Sequence, residues 1–421
     1  MKRFALLAGV LALVVSRPDR CRAEGEEEKR KAIPAPAPMR VLPLSAREAV
    51  NLSLNHNLDI EVARYQPWIE EQNVYAALGT WDHVAYANVT ETRDVQAGTS
   101  FLSGVPGGTR LRTDTTAVTL GVRKTLPSGA SYDLSFSSSR TDSNSSFYFF
   151  NPLWSDSGGG SITVPLLKGA STAANTSTLV IARHTRDISV DSFEKSLSDS
   201  VFSTMQAYWD LVFAIENKRV REQSLEVAQR LLDDNRRKFE RGVVARIDVT
   251  QADAGVAAQQ EGILTAEAAV QLAMDTLKRL VDPALLRQET SLQPVEGPRG
   301  FEAELDERAE TERALREALG RRPEVRQITR QLAAQDVVIA KSNNDLLPQL
   351  DLTGGAFVNG SESTFPQTYS DVRSRDFHDL SAGIVFTWAL EGSSARGSLN
   401  RAELEKRRLF LQQRNLENRV L

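Results

Sequence analysis

Between Ile188 and Arg241 the chain contains no proline and no glycine. Along that stretch the apolar residues Phe193, Leu197, Val201, Met205, Tyr208, Val212, Ile215, Leu225, Ala228, Leu231 and Phe239 recur at steps of three, four or their sums. Such spacing lays them along one face of a helix. A helix of roughly 54 residues is about 80 Å long at 1.5 Å per residue. It is a rod, and its apolar stripe needs other long elements to cover it. A return helix is expected from about Ile247 to Val281. It is rich in alanine (Ala252, Ala254, Ala257, Ala258, Ala266, Ala268, Ala269, Ala273), and small residues let neighbouring helices approach closely.

Between the two rods lies Phe239-Glu240-Arg241-Gly242-Val243-Val244-Ala245-Arg246-Ile247-Asp248-Val249, leading to Ala252. Gly242 suits the left-handed end of a helix, and Asp248 suits the opening turn of the next. Read locally, this is the turn of any helical hairpin. The pattern Phe-x-x-Gly-x-x-Ala-x-x-Asp-Val-x-x-Ala, set between helices this long, resembles the hairpin tip of the TolC-like outer membrane efflux proteins. The stretch from Ala46 to Arg64, with Asn57-Leu58 near its centre, resembles the opening helices of the same family.

The N-terminus reads as a secretory signal, residues 1–23. Lys2 and Arg3 precede the apolar run Phe4 to Val15, and Cys21-Arg22-Ala23 offers a small-x-small cleavage site. Cys21 is the only cysteine, so no internal disulfide framework is possible. Residues 24–43, charged and then Pro-Ala rich, read as a linker. Net charge is −4 with both signs mixed, which gives no basis for binding nucleic acid. After the leader no apolar run is long enough for a membrane helix. If the chain crosses a membrane, it does so as a β-barrel.

The next helical region, Leu44 to Leu78, carries a capping box at Ser45 and Glu48, with a break expected near Pro67. From about 81 to 167 the period changes to two. Val118, Leu120 and Val122 alternate with polar or small residues. So do Tyr132, Leu134 and Phe136, and then Ile162, Val164 and Leu166. Pro127-Ser128-Gly129 is a turn, and Trp81 to Thr92 is a weaker strand candidate. This alternation suits either an antiparallel sheet with one wet face or a membrane barrel. Phe147 to Phe150 and Trp154, in a Ser/Gly-rich loop, suit either a membrane-interface girdle or packing within the loop. Pro165-Leu166-Leu167-Lys168-Gly169 ends the strands, like the Pro-Leu-x-x-Gly exit of the efflux family.

The order then repeats. Residues 284–309 form a connecting segment, which the resemblance places in a belt around the rods. Ala314 to Leu319 echoes Ala49 to Leu54, and Arg322-Pro323-Glu324-Val325 echoes Asn57 to Ile60. Alternating strands follow around Leu350 to Val358 and Leu380 to Trp388. The exit Ala389-Leu390-Glu391-Gly392 then leads to a helical start at Leu399. The first repeat spans 44–283, with its strands at about 81–167 and its helical hairpin at about 187–283. The second spans 310–421 and lacks most of a hairpin. On this reading the sequence is either truncated or a degenerate copy.

No catalytic, cofactor-binding or metal motif stands out. His56, His83, His184 and His378 fall on different elements without ligand spacing. Gly158-Gly159-Gly160 lacks the lysine of a phosphate loop. Asp253 and Glu261 suit a channel lining, but equally a solvated helix face. The residues therefore point to a non-enzymatic protein without cofactors.

What the resemblance implies is more specific. The expected fold class is an α+β membrane protein with two internal repeats. Long periplasmic helical hairpins would form an α-barrel, and strands would contribute to a trimeric outer membrane β-barrel, four per chain and twelve in all. Its place would be the outer membrane of a Gram-negative bacterium, in contact with lipid. The homotrimer would be the passive outer channel of a tripartite efflux or type I secretion system. An inner-membrane transporter and a periplasmic adaptor (membrane fusion) protein would be its partners, with the adaptor docking at Gly242, Val243, Val244, Ala245 and Asp248. The competing readings are a periplasmic adaptor-like coiled-coil protein, a degenerate non-conducting relative, and an envelope enzyme.

Overall fold

A computed structural model describes residues 40–99, 103–106, 109–287, 290–297 and 307–420. The expected leader at 1–23 and most of the linker lie outside them, as does part of the connecting segment. Two kinds of structure share the chain. A six-stranded sheet occupies one end, and long helices run away from it.

The chain enters through β1 (Arg40–Leu44) and then α1 (Ala46–His56). The capping box expected at Ser45 is present. The Ser45 hydroxyl accepts from the Glu48 N–H at 3.3 Å, and the Glu48 carboxylate accepts from the Ser45 N–H at 2.9 Å. That backbone bond, helped by the Ser45 hydroxyl, holds the Glu48 carboxyl below its ordinary range. A lowered folded-state pKa gives stability that is present above the ordinary carboxylate pKa and lost as the pH falls through the lowered value. Glu48→Gln is therefore expected to flatten part of the acid-side slope of melting temperature against pH, leaving the neutral-to-alkaline limb parallel to the parent's.

The helix break falls at Asn57, not at Pro67. Pro67 lies inside α2 (Leu58–Leu78) without ending it. Asn57 accepts from the Asp59 N–H at 2.8 Å and so caps α2. It also donates to the Leu280 carbonyl at 3.0 Å and to the Ser200 hydroxyl at 3.3 Å, which ties the break to the rods.

Strands β2 (Val84–Ala97), β3 (Arg110–Thr125), β4 (Ser131–Ser143) and β5 (Leu153–Pro165) follow as an antiparallel meander. Gly129 makes the expected turn at a φ of +86°, closed by the Leu126 N–H to the Ala130 carbonyl at 2.7 Å. Trp154 and Gly158 to Gly160 belong to β5, not to a loop.

A short helix α3 (Thr172–Asn175) leads into α4 (Ser177–Glu240), which has 64 residues and so is about 96 Å long. It starts eleven residues before Ile188. The return helix α5 (Arg246–Val281) packs along it. Then β6 (Thr290–Pro294) pairs in parallel with β1, from Arg40 opposite Thr290 to Leu44 opposite Pro294. The second repeat supplies α6 (Glu307–Arg321), α7 (Pro323–Asp345) and β7 (Gln349–Glu362). After it come α8 (Phe365–Ser374), β8 (Phe377–Thr387) and α9 (Ser393–Val420). Arg322 separates α6 from α7 as Asn57 separates α1 from α2.

The apolar core sits where β1 and β6 cross the rods. Leu44, Ala49, Tyr208, Leu211, Val212, Met274, Leu277, Val281 and Leu292 form it. Buried Tyr208 donates its hydroxyl to the Leu44 carbonyl at 3.2 Å and accepts from the Glu296 N–H at 3.4 Å. Burial raises the phenol pKa above its usual range, so it remains a donor. Most of the sequence-derived stripe on α4 is inward, but Leu231 and Phe239 are exposed and Leu232 is buried in their place. A helix of 3.6 residues per turn drifts out of phase with a nearly seven-residue repeat over this length.

Candidate functional site

Two regions have the character of working surfaces: the hairpin tip and the sheet wall. At the tip, Gly242 adopts a φ of +73°. Its N–H donates to the Phe239 carbonyl at 2.9 Å, and the Val243 N–H donates to the Lys238 carbonyl at 2.9 Å. This is a Schellman ending, with the glycine at the left-handed position. A Cβ on Gly242 would meet no atom within 4 Å. Gly242→Ala is therefore expected to cost only the backbone term, about 1–2 kcal/mol. Thermal unfolding would read it as a small shift without loss of helix content.

Asp248 closes the tip from the other side. Its carboxylate accepts from the Ala245 N–H at 3.0 Å. This is half of a capping box, since alanine has no side-chain acceptor to return the bond. Asn235 donates to the Asp248 carbonyl at 3.3 Å, linking the two helices. The geometry thus gathers Gly242, Val243, Val244, Ala245 and Asp248 into one turn. Val243 is 71% exposed and Val244 half-buried. Two further apolar residues stand exposed there: Phe239, which belongs by spacing to the buried stripe, and Ile247, 70% exposed. An apolar residue at the start of a helix is the only sequence signal for Ile247. Asp253 pairs with Arg236 across the hairpin at 3.6 Å, and Glu261 lies exposed on α5.

The sheet runs β2-β3-β4-β5-β7-β8, antiparallel throughout. The register sorts its residues onto two unlike faces. One carries Val89, Leu120, Leu134, Ile162, Leu380, Ile384 and Phe386, all exposed. The other carries hydroxyl pairs: Thr113 with Ser143 at 3.2 Å, Thr119 with Ser137 at 3.2 Å and Ser155 with Ser361 at 3.3 Å. The exposed part of the apolar face suits lipid, and the polar face suits a water-filled lumen; towards the loop end α8 covers the apolar face over Gly158, Gly360 and the buried Asp156.

The loops after β2, β4 and β7 lie at the end away from the rods, and the 127–129 turn at the rod end. Phe147 and Phe149 stand exposed in the β4–β5 connection. Trp154 packs edge-on to Phe365 of α8, with ring centroids 5.7 Å apart. Among the described residues no helix is long and apolar enough to cross a membrane.

The model of the outer membrane efflux protein family matches residues 129–281, from the β3–β4 turn to the end of α5. Over that stretch the chain resembles the outer membrane efflux proteins. No curated protein sequence matches it significantly. Three solved structures share the fold. The Campylobacter jejuni outer membrane channel CmeC is 16% identical with a TM-score of 0.57, over 88% of this chain and 67% of that one. The outer-membrane channel OprN is 18% identical with a TM-score of 0.58, over 88% and 70%. The Vibrio cholerae outer membrane protein VceC is 14% identical with a TM-score of 0.59, over 89% and 75%. One expectation taken from the family resemblance is corrected by the structure. Among the described residues the sheet has six strands, not four, because the first repeat holds four and the second two.

Proposed function

We propose that the protein is a passive outer membrane conduit. Three copies surround a common axis, the sheet lies in the outer membrane and the rods stand in the periplasm. Solutes are received from an inner-membrane transporter through a periplasmic adaptor, in an efflux or type I secretion assembly. The observation that carries this reading is a single sheet, apolar on one face and hydroxyl-lined on the other, joined to a rod about 96 Å long. Such a rod leaves much of its surface, including most of the alanines of α5, uncovered by the described residues of its own chain. Neighbouring copies supply that cover.

The tip is where an adaptor hairpin docks, through the exposed trio Phe239, Val243 and Ile247 beside Val244. Changing Val243 and Val244 together to glutamate is expected to leave oligomers intact on a native gel and to abolish export in a transport-deficient host. Export at the parent's rate would count against docking at this turn. Absence of the unmodified protein from the outer membrane fraction would count against the conduit itself.

A further inference from the structure

We propose that the loop end of the sheet's apolar face seats phosphate-bearing lipid headgroups, held by Arg93, Arg112 and Arg140, and that α8 lies at the same boundary as an interfacial helix. The inference rests on the conduit reading and adds to it the chemistry of the lipid around the sheet.

The register places the boundary. On the apolar face, Ala87, Leu120, Phe136, Gly158 and Val358 stand in one row across five strands. Two rows nearer the loops the same strands carry Glu91, Thr116, Arg140, Trp154 and Glu362. One row further, β2, β3 and β4 carry Arg93, Asp114 and Asp142. Those three strands thus pass from apolar to charged within three rows. On a wall in a bilayer, that change marks the passage from acyl chains to headgroups. With the rods in the periplasm, these headgroups belong to the outer leaflet.

The arginines are arranged for an anion. Asp114 accepts from Arg93 at 2.8 and 3.2 Å and pairs with Arg112 at 3.1 Å. Arg140 pairs with Asp142 at 3.3 Å. These two acids orient the guanidinium planes but take only part of the N–H groups on each. The side chains of Arg93 and Arg112 are more than half exposed, which leaves their other donors open to a ligand. With Arg110 and Glu91 on the same face, this end of β2, β3 and β4 sets four arginines against three acids. A guanidinium fork matches phosphate oxygens two at a time.

Helix α8 completes the boundary. It lies across β5 and β7, and the sheet is shaped to receive it. A Cβ on Gly360 would come within 2.3 Å of the Thr368 carbonyl oxygen, so only glycine admits the helix this close. Thr368 on the underside of α8 is fully buried, and so is Asp156 beside Gly360 on β5. This seating leaves Phe365 and Tyr369 exposed at 41% and 52%. Their rings stack with centroids 6.3 Å apart, and Trp154 meets Phe365 edge-on. Exposed aromatic rings on a helix beside a charged rim suit the zone between acyl chain and headgroup.

The test uses the full chain, assembled in membranes, purified in a nonionic detergent and stripped of lipid. The probes are phosphatidic acid, diacylglycerol with the same acyl chains, and inorganic phosphate. Phosphatidic acid is expected to raise the melting temperature by several degrees, and the other two to leave it in place. Arg93→Gln with Arg112→Gln is expected to lose more than half of that shift. Arg140→Gln, a single change, repeats the comparison should the double variant not assemble. No shift with phosphatidic acid, an equal shift with diacylglycerol or inorganic phosphate, or a full shift in the variants would each overturn the headgroup seat. A second arm places an environment-sensitive dye on Tyr369→Cys, with the parent (its one cysteine is Cys21) as labelling control. The variant is returned to vesicles of phosphatidylcholine and phosphatidic acid that carry a nitroxide either at the headgroup or deep in the acyl chain. Stronger quenching by the headgroup nitroxide is expected. Stronger quenching by the deep one would overturn the interfacial placement of α8 and leave the conduit standing. Quenching by neither would mean that this face does not meet lipid, and the conduit reading would fail with the proposal.

Discussion

Leu277→Ala is expected to lower the stability of the helical region by about 2–5 kcal/mol, with a melting transition by circular dichroism several degrees below the parent's. Leu277 is fully buried where α5 meets α4 and the β1–β6 pair, among Tyr208, Leu211, Val281 and Leu292. Shortening it removes transfer free energy and leaves a cavity that four elements cannot all close around. Leu272, five residues earlier on the same helix, is 71% exposed. Leu272→Ala is expected to change the transition by no more than about 0.5 kcal/mol. Equal losses at the two positions would show that the belt is not the core of the fold.

The second large effect is expected from the charges between the repeats. Asp191 on α4 is 2% exposed. Its carboxylate meets the Arg326 guanidinium at 3.0 Å and that of Arg330 at 3.3 Å, both on α7. Arg326 also pairs with Glu194. Both arginines are about a third exposed, so either pair alone stabilises by under about 1 kcal/mol after solvent screening. Removing both leaves a buried carboxylate without a counter-ion, a situation that costs up to about 3–5 kcal/mol. Arg326→Met with Arg330→Met should therefore destabilise far more than the sum of the two single changes. Strict additivity in a double-mutant cycle would mean that Asp191 is solvated in the folded protein.

The sequence exposed most where a local rule is strict. Gly242 was legible because a left-handed helix ending wants glycine, and Ser45 with Glu48 because a capping box has fixed spacing. The six strands were also legible as six alternating runs. The expectation of four came from the family resemblance, not from the residues, and the residues were the better guide. Other features carried no local signal. Strands β1 and β6 have five residues each, pair in parallel and lie 250 residues apart. Nothing within either segment names its partner. Pro67 looked like a helix breaker, yet Asn57, held by Leu280 and Ser200 from distant parts of the chain, sets the break. Helix α8 escaped notice in a polar stretch, although Pro366 at its start is a recognised opening position. Of the tip, spacing gave the turn but not its exposed apolar trio. Whether Phe239 faces in or out depends on helix phase accumulated over 64 residues.

The pairing of β1 with β6 also imposes an order of events on a growing chain. Arg40 emerges first and waits for Thr290. Until then the strands of the first repeat, α4 and α5 must all have been delivered, and Tyr208 has only half of its hydrogen-bonding partners within reach. Contacts this distant in sequence form late, because the loop between them must close before they return any free energy. The N-terminal strand is thus a clasp that fastens only around a finished hairpin. A chain whose rods are still incomplete carries an open clasp, and with it an unpaired strand.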